Sequence, residues 1–168
     1  MNDRAFTLIE LLVVTSIILL LTALILPNYR LGDSHLAVQR SAHKISQDLR
    51  RAQEFAISVK VFGGMVPGGY GIYFDLDQLD RYVMFADLDS DQEYSGVNEK
   101  VEETILEGNV TLFSLSPIAS GNSLNVFFAP PHPTTQFLPD AATAIINVRV
   151  GDIQGTVRVN KAGLIAVD

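Results

Sequence analysis

The sequence contains no cysteine. That excludes a disulfide scaffold, a thiolate zinc site and a cysteine nucleophile. It leaves the redox compartment open, because exported proteins can do without disulfides. Charge is also scarce: 18% of residues are charged, against about 25% in an ordinary soluble domain. Positive charge is scarcer still. Twelve Lys and Arg face nineteen Asp and Glu, a net charge of −7. That argues against general nucleic-acid binding, which needs a positive surface. Enzyme signatures are missing too: there is no Gly-x-Ser-x-Gly elbow, no His-Glu-x-x-His, no P-loop and no Gly-x-Gly-x-x-Gly in a βαβ setting. His35 and His43 read as exposed polar residues near or on a helix, and His132 sits between prolines in a loop. These absences read as a protein that is not an enzyme.

What is present is apolar. Hydrophobic residues make up 48% of the 168-residue chain and mean hydropathy is +0.24, which excludes disorder and suits one domain. An acidic chain that averages hydrophobic must concentrate its apolar residues, and it does so at the front. Residues 6–26 (FTLIELLVVTSIILLLTALIL) form a 21-residue run whose one charge is Glu10. As a helix this run is roughly 32 Å long, enough for the ~30 Å hydrocarbon core of a bilayer. The competing reading is a cleaved secretory signal peptide, but the run ends Leu24, Ile25, Leu26, Pro27 with no Ala-x-Ala site after it. The expectation is a retained membrane helix. Glu10 inside it costs about 2.5–3.5 kcal/mol on insertion scales, less toward the interface. Either a partner neutralises it, or it lies in the headgroup zone near the helix end.

The charges divide by region. Residues 28–60 hold six bases and three acids, whereas residues 61–168 hold five bases and fourteen acids, eleven of them between Asp75 and Glu107. The basic neck reads as a helix: Val38, Ala42, Ile45, Leu49, Ala52, Ala56 and Val59 alternate spacings of four and three, a narrow apolar stripe. Arg40, Lys44, Asp48, Arg50, Arg51 and Glu54 fall off it. Pro27 and Gly32 are the sole breakers before this stripe, so one long helix with a bend near Pro27 is expected, ending at the Gly-rich stretch 63–69.

Strand texture follows. Segments 70–75, 81–86, 102–106, 110–115, 124–129, 144–150, 154–160 and 164–167 are short and β-branched or aromatic, and turn residues punctuate them. Their hairpin spacing implies an antiparallel sheet. Residues 130–135 (PPHPTT) read as a rigid loop without ladder capacity. The fold class expected is therefore α+β, a long N-terminal helix, membrane half plus amphipathic half, packed on an antiparallel β-sheet head. Its divisions are 1–5, 6–27, 28–62 and 63–168.

The opening MNDRA, followed at once by FTLIELLVV, carries a specific pattern: a short polar leader ending in a small residue, then Phe, then Glu at the fifth position counted from it, inside an unbroken apolar helix. This resembles the type IV pilin and type II secretion pseudopilin superfamily and its class III signal peptide. The resemblance implies that a prepilin peptidase cuts between Ala5 and Phe6 and N-methylates Phe6. It implies that Glu10 of one subunit neutralises the Phe6 amino group of another, and that Pro27 marks where the helix bends or melts in the filament. The partners implied are that peptidase, other pilin or pseudopilin subunits and an inner-membrane assembly platform. The chain would be single-pass in the inner membrane, head outward, then in the filament. The sequence departs from the pattern twice: Ala5 stands where Gly is usual, and Arg4 is opposed by Asp3 in a leader that tends to be more basic.

Within the superfamily, the body is most similar to GspH/FimT-type minor pseudopilins and pilins, on GYGIYF at 69–74, YVMFAD at 82–87, FFAP at 127–130 and TVRVNKAGLI at 156–165. Some FimT-type pilins bind DNA through arginines in the last strand region, but here Leu-Ile-Ala-Val-Asp after Gly163 carries no base. No cofactor is expected apart from calcium. Asp87, Asp89, Asp91 and Glu93 place oxygen ligands at the i, i+2, i+4 spacing of a calcium loop. Position six is Gln92 rather than Gly and position twelve is Asn98, with Glu99 one place late. The alternative is a solvated acidic turn. The function expected is a structural subunit of a pilus or secretion pseudopilus. The rivals are a membrane-anchored exported binding protein and a ligand-binding tip pilin.

Overall fold

A computed structural model describes residues 7–119, 121–130 and 134–168, with the side chains of residues 25–31 left aside. One long helix and nine strands follow in order: α1 (Leu8–Ile57), β1 (Gly69–Asp75), β2 (Arg81–Asp87), β3 (Lys100–Ile105), β4 (Thr111–Ser116), β5 (Ser123–Ala129), β6 (Thr134–Leu138), β7 (Thr143–Val150), β8 (Ile153–Asn160) and β9 (Ile165–Val167). The chain divides into two compact units, Met1–Leu36 and Ala37–Asp168.

In the first unit α1 carries an exposed apolar surface. Every large apolar side chain it presents from Leu8 to Leu24 is between 49% and 83% exposed. Three hydroxyls are satisfied locally. Thr15 Oγ1 donates to the Leu11 and Leu12 carbonyls at 3.0 Å and Thr22 Oγ1 to the Ile18 carbonyl at 2.7 Å, while Thr7 caps the helix. This is how Thr is tolerated in an apolar helix.

In the second unit the remainder of α1 packs on two antiparallel sheets. One has the order β3-β2-β1-β5-β6 and the other β4-β7-β8-β9. A single expected sheet is thus two, because β4 and β7 are non-consecutive partners and β5 returns beside β1. Both sheets turn alternate side chains toward α1, and the shared core includes Ile72, Phe74 and Val126 from the first, Ile146, Val148 and Val157 from the second. The apolar stripe of α1 supplies the third wall: Val38, Ala42, Ile45, Leu49, Ala52 and Ala56 are at most 2% exposed. Small residues there allow close approach. At Gly155 a Cβ would come within 2.9 Å of Val38 Cγ1.

The expected seventh member of the stripe, Val59, is 44% exposed. α1 ends at Ile57, and Val59 takes a positive φ of 47° as the chain turns out of the helix. Asp48, expected off the stripe, is 3% exposed. Its carboxylate accepts the Tyr82 hydroxyl at 2.6 Å and the Lys44 ammonium at 2.8 Å, so burial is compensated by charge-assisted bonds. The segment read as a loop at 130–135 is corrected at its end. Thr134 and Thr135 open β6 and pair with Ala129 and Phe128; prolines bar a ladder only where they stand, and the β-branched residues after them resume it.

Sheet β3-β2-β1-β5-β6 is covered on its second face as well. Phe85 and Phe127 point away from α1 yet are at most 1% exposed, because residues 88–99 fold over them. Tyr94 of that segment lies 5.9 Å from the Phe85 ring and 5.2 Å from the Tyr73 ring, centroid to centroid, and its backbone N–H donates to Asn125 Oδ1 at 3.3 Å. This explains why β1 and β2 are buried almost throughout rather than alternately.

Candidate functional site: the helix start and the acidic loop

Ala5 and Phe6, the expected cleavage and methylation residues, lie outside the described residues. The residues just after them form a defined cap. Thr7 precedes the first turn, and Glu10 Oε2 accepts its backbone N–H at 3.0 Å and its hydroxyl at 2.9 Å. The Glu10 N–H donates back to Thr7 Oγ1 at 3.2 Å. This reciprocal arrangement is a capping box, and it places a carboxylate beside the positive end of the helix dipole. Thr7 was not singled out by the sequence reading, although Thr-x-x-Glu ahead of an apolar run is a recognisable signal. Glu10 remains exposed, so its carboxylate has a local donor and still faces outward.

Among the described residues no helix is long and apolar enough to cross a membrane. The expected span, 6–26, exceeds at both ends the stretch of α1 within it whose side chains are described, 8–24. At about 1.5 Å per residue that shorter stretch is roughly 25 Å long. Pro27 falls within α1. Its side chain belongs to the group left aside, and with it the expected bend.

The acidic loop runs from the end of β2 to the start of β3. Asp87 and Glu99 are 1% and 2% exposed, which two carboxylates tolerate only with donors around them. Asp87 Oδ1 accepts the Ser90 N–H at 2.7 Å and Oδ2 the Gln92 N–H at 3.2 Å. Glu99 accepts the Leu88 N–H, the Ser95 N–H and the Ser95 hydroxyl, all at 2.9 Å. Burial pushes the Asp87 carboxyl above its ordinary range. The two backbone donors oppose the rise, and the charges of Glu99 and Asp91 add to it.

The structure brings Asp87 and Asp89 together with Glu99, each offering an oxygen within 4.8 Å of the others. These three could hold a cation. Asp91 and Glu93 are not in that group; Asp91 Oδ1 instead accepts the Glu93 N–H at 2.8 Å, a local turn contact. Glu99, one place beyond the calcium-loop pattern in sequence, enters because β3 returns it to the end of β2. Its carbonyl accepts the Ala86 N–H at 2.9 Å.

Residues 1–26 match the family described as the prokaryotic N-terminal methylation motif. The match supports the pilin and pseudopilin superfamily. No curated protein and no solved structure matches the chain.

Proposed function

We propose that the chain is a prepilin-like structural subunit, of minor pilin or pseudopilin type, that is cut between Ala5 and Phe6, methylated at Phe6 and polymerised through its N-terminal helix. The observation that carries this reading is the methylation motif at residues 1–26, joined to a helix whose apolar side chains are exposed. Such a surface is not left to water. Lipid covers it first, with residues 6–26 as the membrane segment, and neighbouring helices cover it in the filament.

Glu10 supplies register in this reading. Cleavage creates an amino group on Phe6, and a carboxylate in an apolar helix bundle needs a cation. The capping box limits the cost of waiting, since Thr7 satisfies Glu10 until a neighbour's amino group replaces it. The body's likeness to GspH/FimT-type subunits supports a minor component, one that shares the helix and varies the head.

Co-expression with a prepilin peptidase, followed by mass spectrometry of the membrane-extracted chain, tests the processing step. Loss of residues 1–5 and gain of one methyl group on Phe6 is expected; an intact N-terminus beside an active peptidase overturns it. Glu10→Ala in the full chain tests assembly. The variant is expected to stay in the membrane and to drop out of sheared filaments.

A further inference from the structure

The outer face of sheet β4-β7-β8-β9 carries a feature that neither the core nor the helix uses. A bulge in β4 between Leu112 and Ser114 lets Leu112 and Leu115 both point into the core, where alternation alone would turn one of them out. Phe113 is left facing outward at 37% exposure. Arg149 of β7 stacks on it, with its guanidinium carbon 4.4 Å from the ring centroid, a cation–π contact that pre-orients the fork.

Arg149 also stands apart in charge. Residues 61–168 contain five bases. Arg81 pairs with Asp80 and Glu103, Lys100 with Glu103, Arg158 with Asp168 and Lys161 with Asp140. Among the described residues Arg149 is the one base of these five with no carboxylate partner. It is an exposed, aromatic-backed fork, and bidentate carboxylate recognition is what such a fork does well.

The complementary chemistry lies on the other sheet. The loop over β1, β2 and β5 presents Asp89, Asp91 and Glu93 to solvent, and among the described residues none of the three forms an ion pair. Beside them Val97 is 78% exposed, an apolar side chain of a size to lie on Phe113. Tyr94 anchors the loop to the sheet beneath it, so carboxylates and valine are presented from a fixed platform.

We propose that the Arg149–Phe113 face of one subunit receives the Asp89–Asp91–Glu93 loop and Val97 of a second copy of this chain. The inference rests on the polymerisation reading above and names a head-to-head surface for it. The two halves of the contact differ and sit on different sheets. Two unlike halves can meet head to tail, and a contact repeated in that way leaves a free half at each end, as a filament requires. The charge pairing steers and orders the approach, while Val97 on Phe113 supplies apolar burial.

The absence of native cysteine makes introduced ones unambiguous. Gln154→Cys, opposite Arg149 in the β7–β8 register, and Asn98→Cys, next to Val97, are combined in the full-length chain in the membranes of cells that assemble it. Mild oxidation is expected to give a disulfide-linked ladder that needs both substitutions. Arg149→Glu should abolish the ladder, and adding Asp91→Lys with Glu93→Lys should restore it, which also shows that the reversed chains fold. A Leu20→Cys chain reports helix contact separately. Helix crosslinks without head crosslinks overturn this contact and leave polymerisation standing; loss of both overturns polymerisation and this contact with it. A ladder indifferent to Arg149→Glu also overturns it, as does a Gln154→Cys thiol that joins only its own counterpart in a second copy or a different protein.

Discussion

At the scale of single residues, the second unit depends on a few closely fitted positions. Tyr82 and Asp48 join the sheet to the helix through one buried bond. Burial and the Asp48 carboxylate push the Tyr82 phenol far above its ordinary range, so it is a permanent donor. Tyr82→Phe strands the Asp48 carboxylate with the exposed Lys44 and the 3.5 Å Thr104 contact. It should cost about 1–3 kcal/mol, read as a lower urea midpoint at unchanged m-value. In a double-mutant cycle with Asp48→Asn the two losses should be strongly non-additive. Gly71 is constrained sterically: a Cβ would lie 2.6 Å from the Phe85 ring and 2.8 Å from the Val126 carbonyl oxygen. Carbonyl and packed ring both resist displacement, so Gly71→Ala should cost more than the usual surface change, about 2 kcal/mol or more. A melting temperature equal to that of the parent chain would show that β1 and β5 yield to a Cβ at this point.

At the scale of elements, patterns of period were legible and patterns of contact were not. The stripe from Val38 to Ala56 follows from spacing, because burial on one face of a helix imposes a period near 3.6, and eight of the nine strands follow from β-branched and aromatic runs between turn residues. β6 was hidden by the prolines before it, and the two-sheet arrangement by non-local pairing of β1 with β5 and β4 with β7. The buried role of Asp48 depends on Tyr82, thirty-four residues away, and the entry of Glu99 into the acidic group depends on β3 coming back beside β2. Neither is a property of local sequence. That acidic loop should report its burial through pH. The Asp87 carboxyl titrates above its unfolded range, so the folded state binds the proton more tightly than the unfolded state. Its contribution to stability therefore grows as pH falls from neutrality toward about 4, near the unfolded value, and is lost as pH rises. The stability difference between the parent chain and Asp87→Asn should shift in the parent's favour over that interval, as followed by thermal melts. A difference constant with pH would mean that the loop opens and solvates Asp87.

At the scale of the whole molecule, the opposition between an acidic composition and a positive mean hydropathy resolves into two units with different solvents. The shared core begins at Val38 and draws every member from the second unit. The first unit holds the exposed apolar helix, which needs lipid or other helices. The second unit should consequently fold without the first. A chain consisting of Ala37–Asp168 is expected to melt cooperatively, within about 4 °C of the full chain, a shift that corresponds to roughly 1 kcal/mol for a domain of this size. It should remain in the soluble fraction at neutral pH, while the full chain resists extraction from membranes by alkaline carbonate. Aggregation of the Ala37–Asp168 chain would mean that residues before Ala37 cover part of the head. Were it instead to fold and still form ordered filaments, the heads alone would drive polymerisation. The expected result is a folded head that stays monomeric at micromolar concentration: the Arg149 contact then serves to align subunits whose helices have already brought them together, since one exposed ion pair with one apolar contact is too small a surface to hold a stable complex by itself.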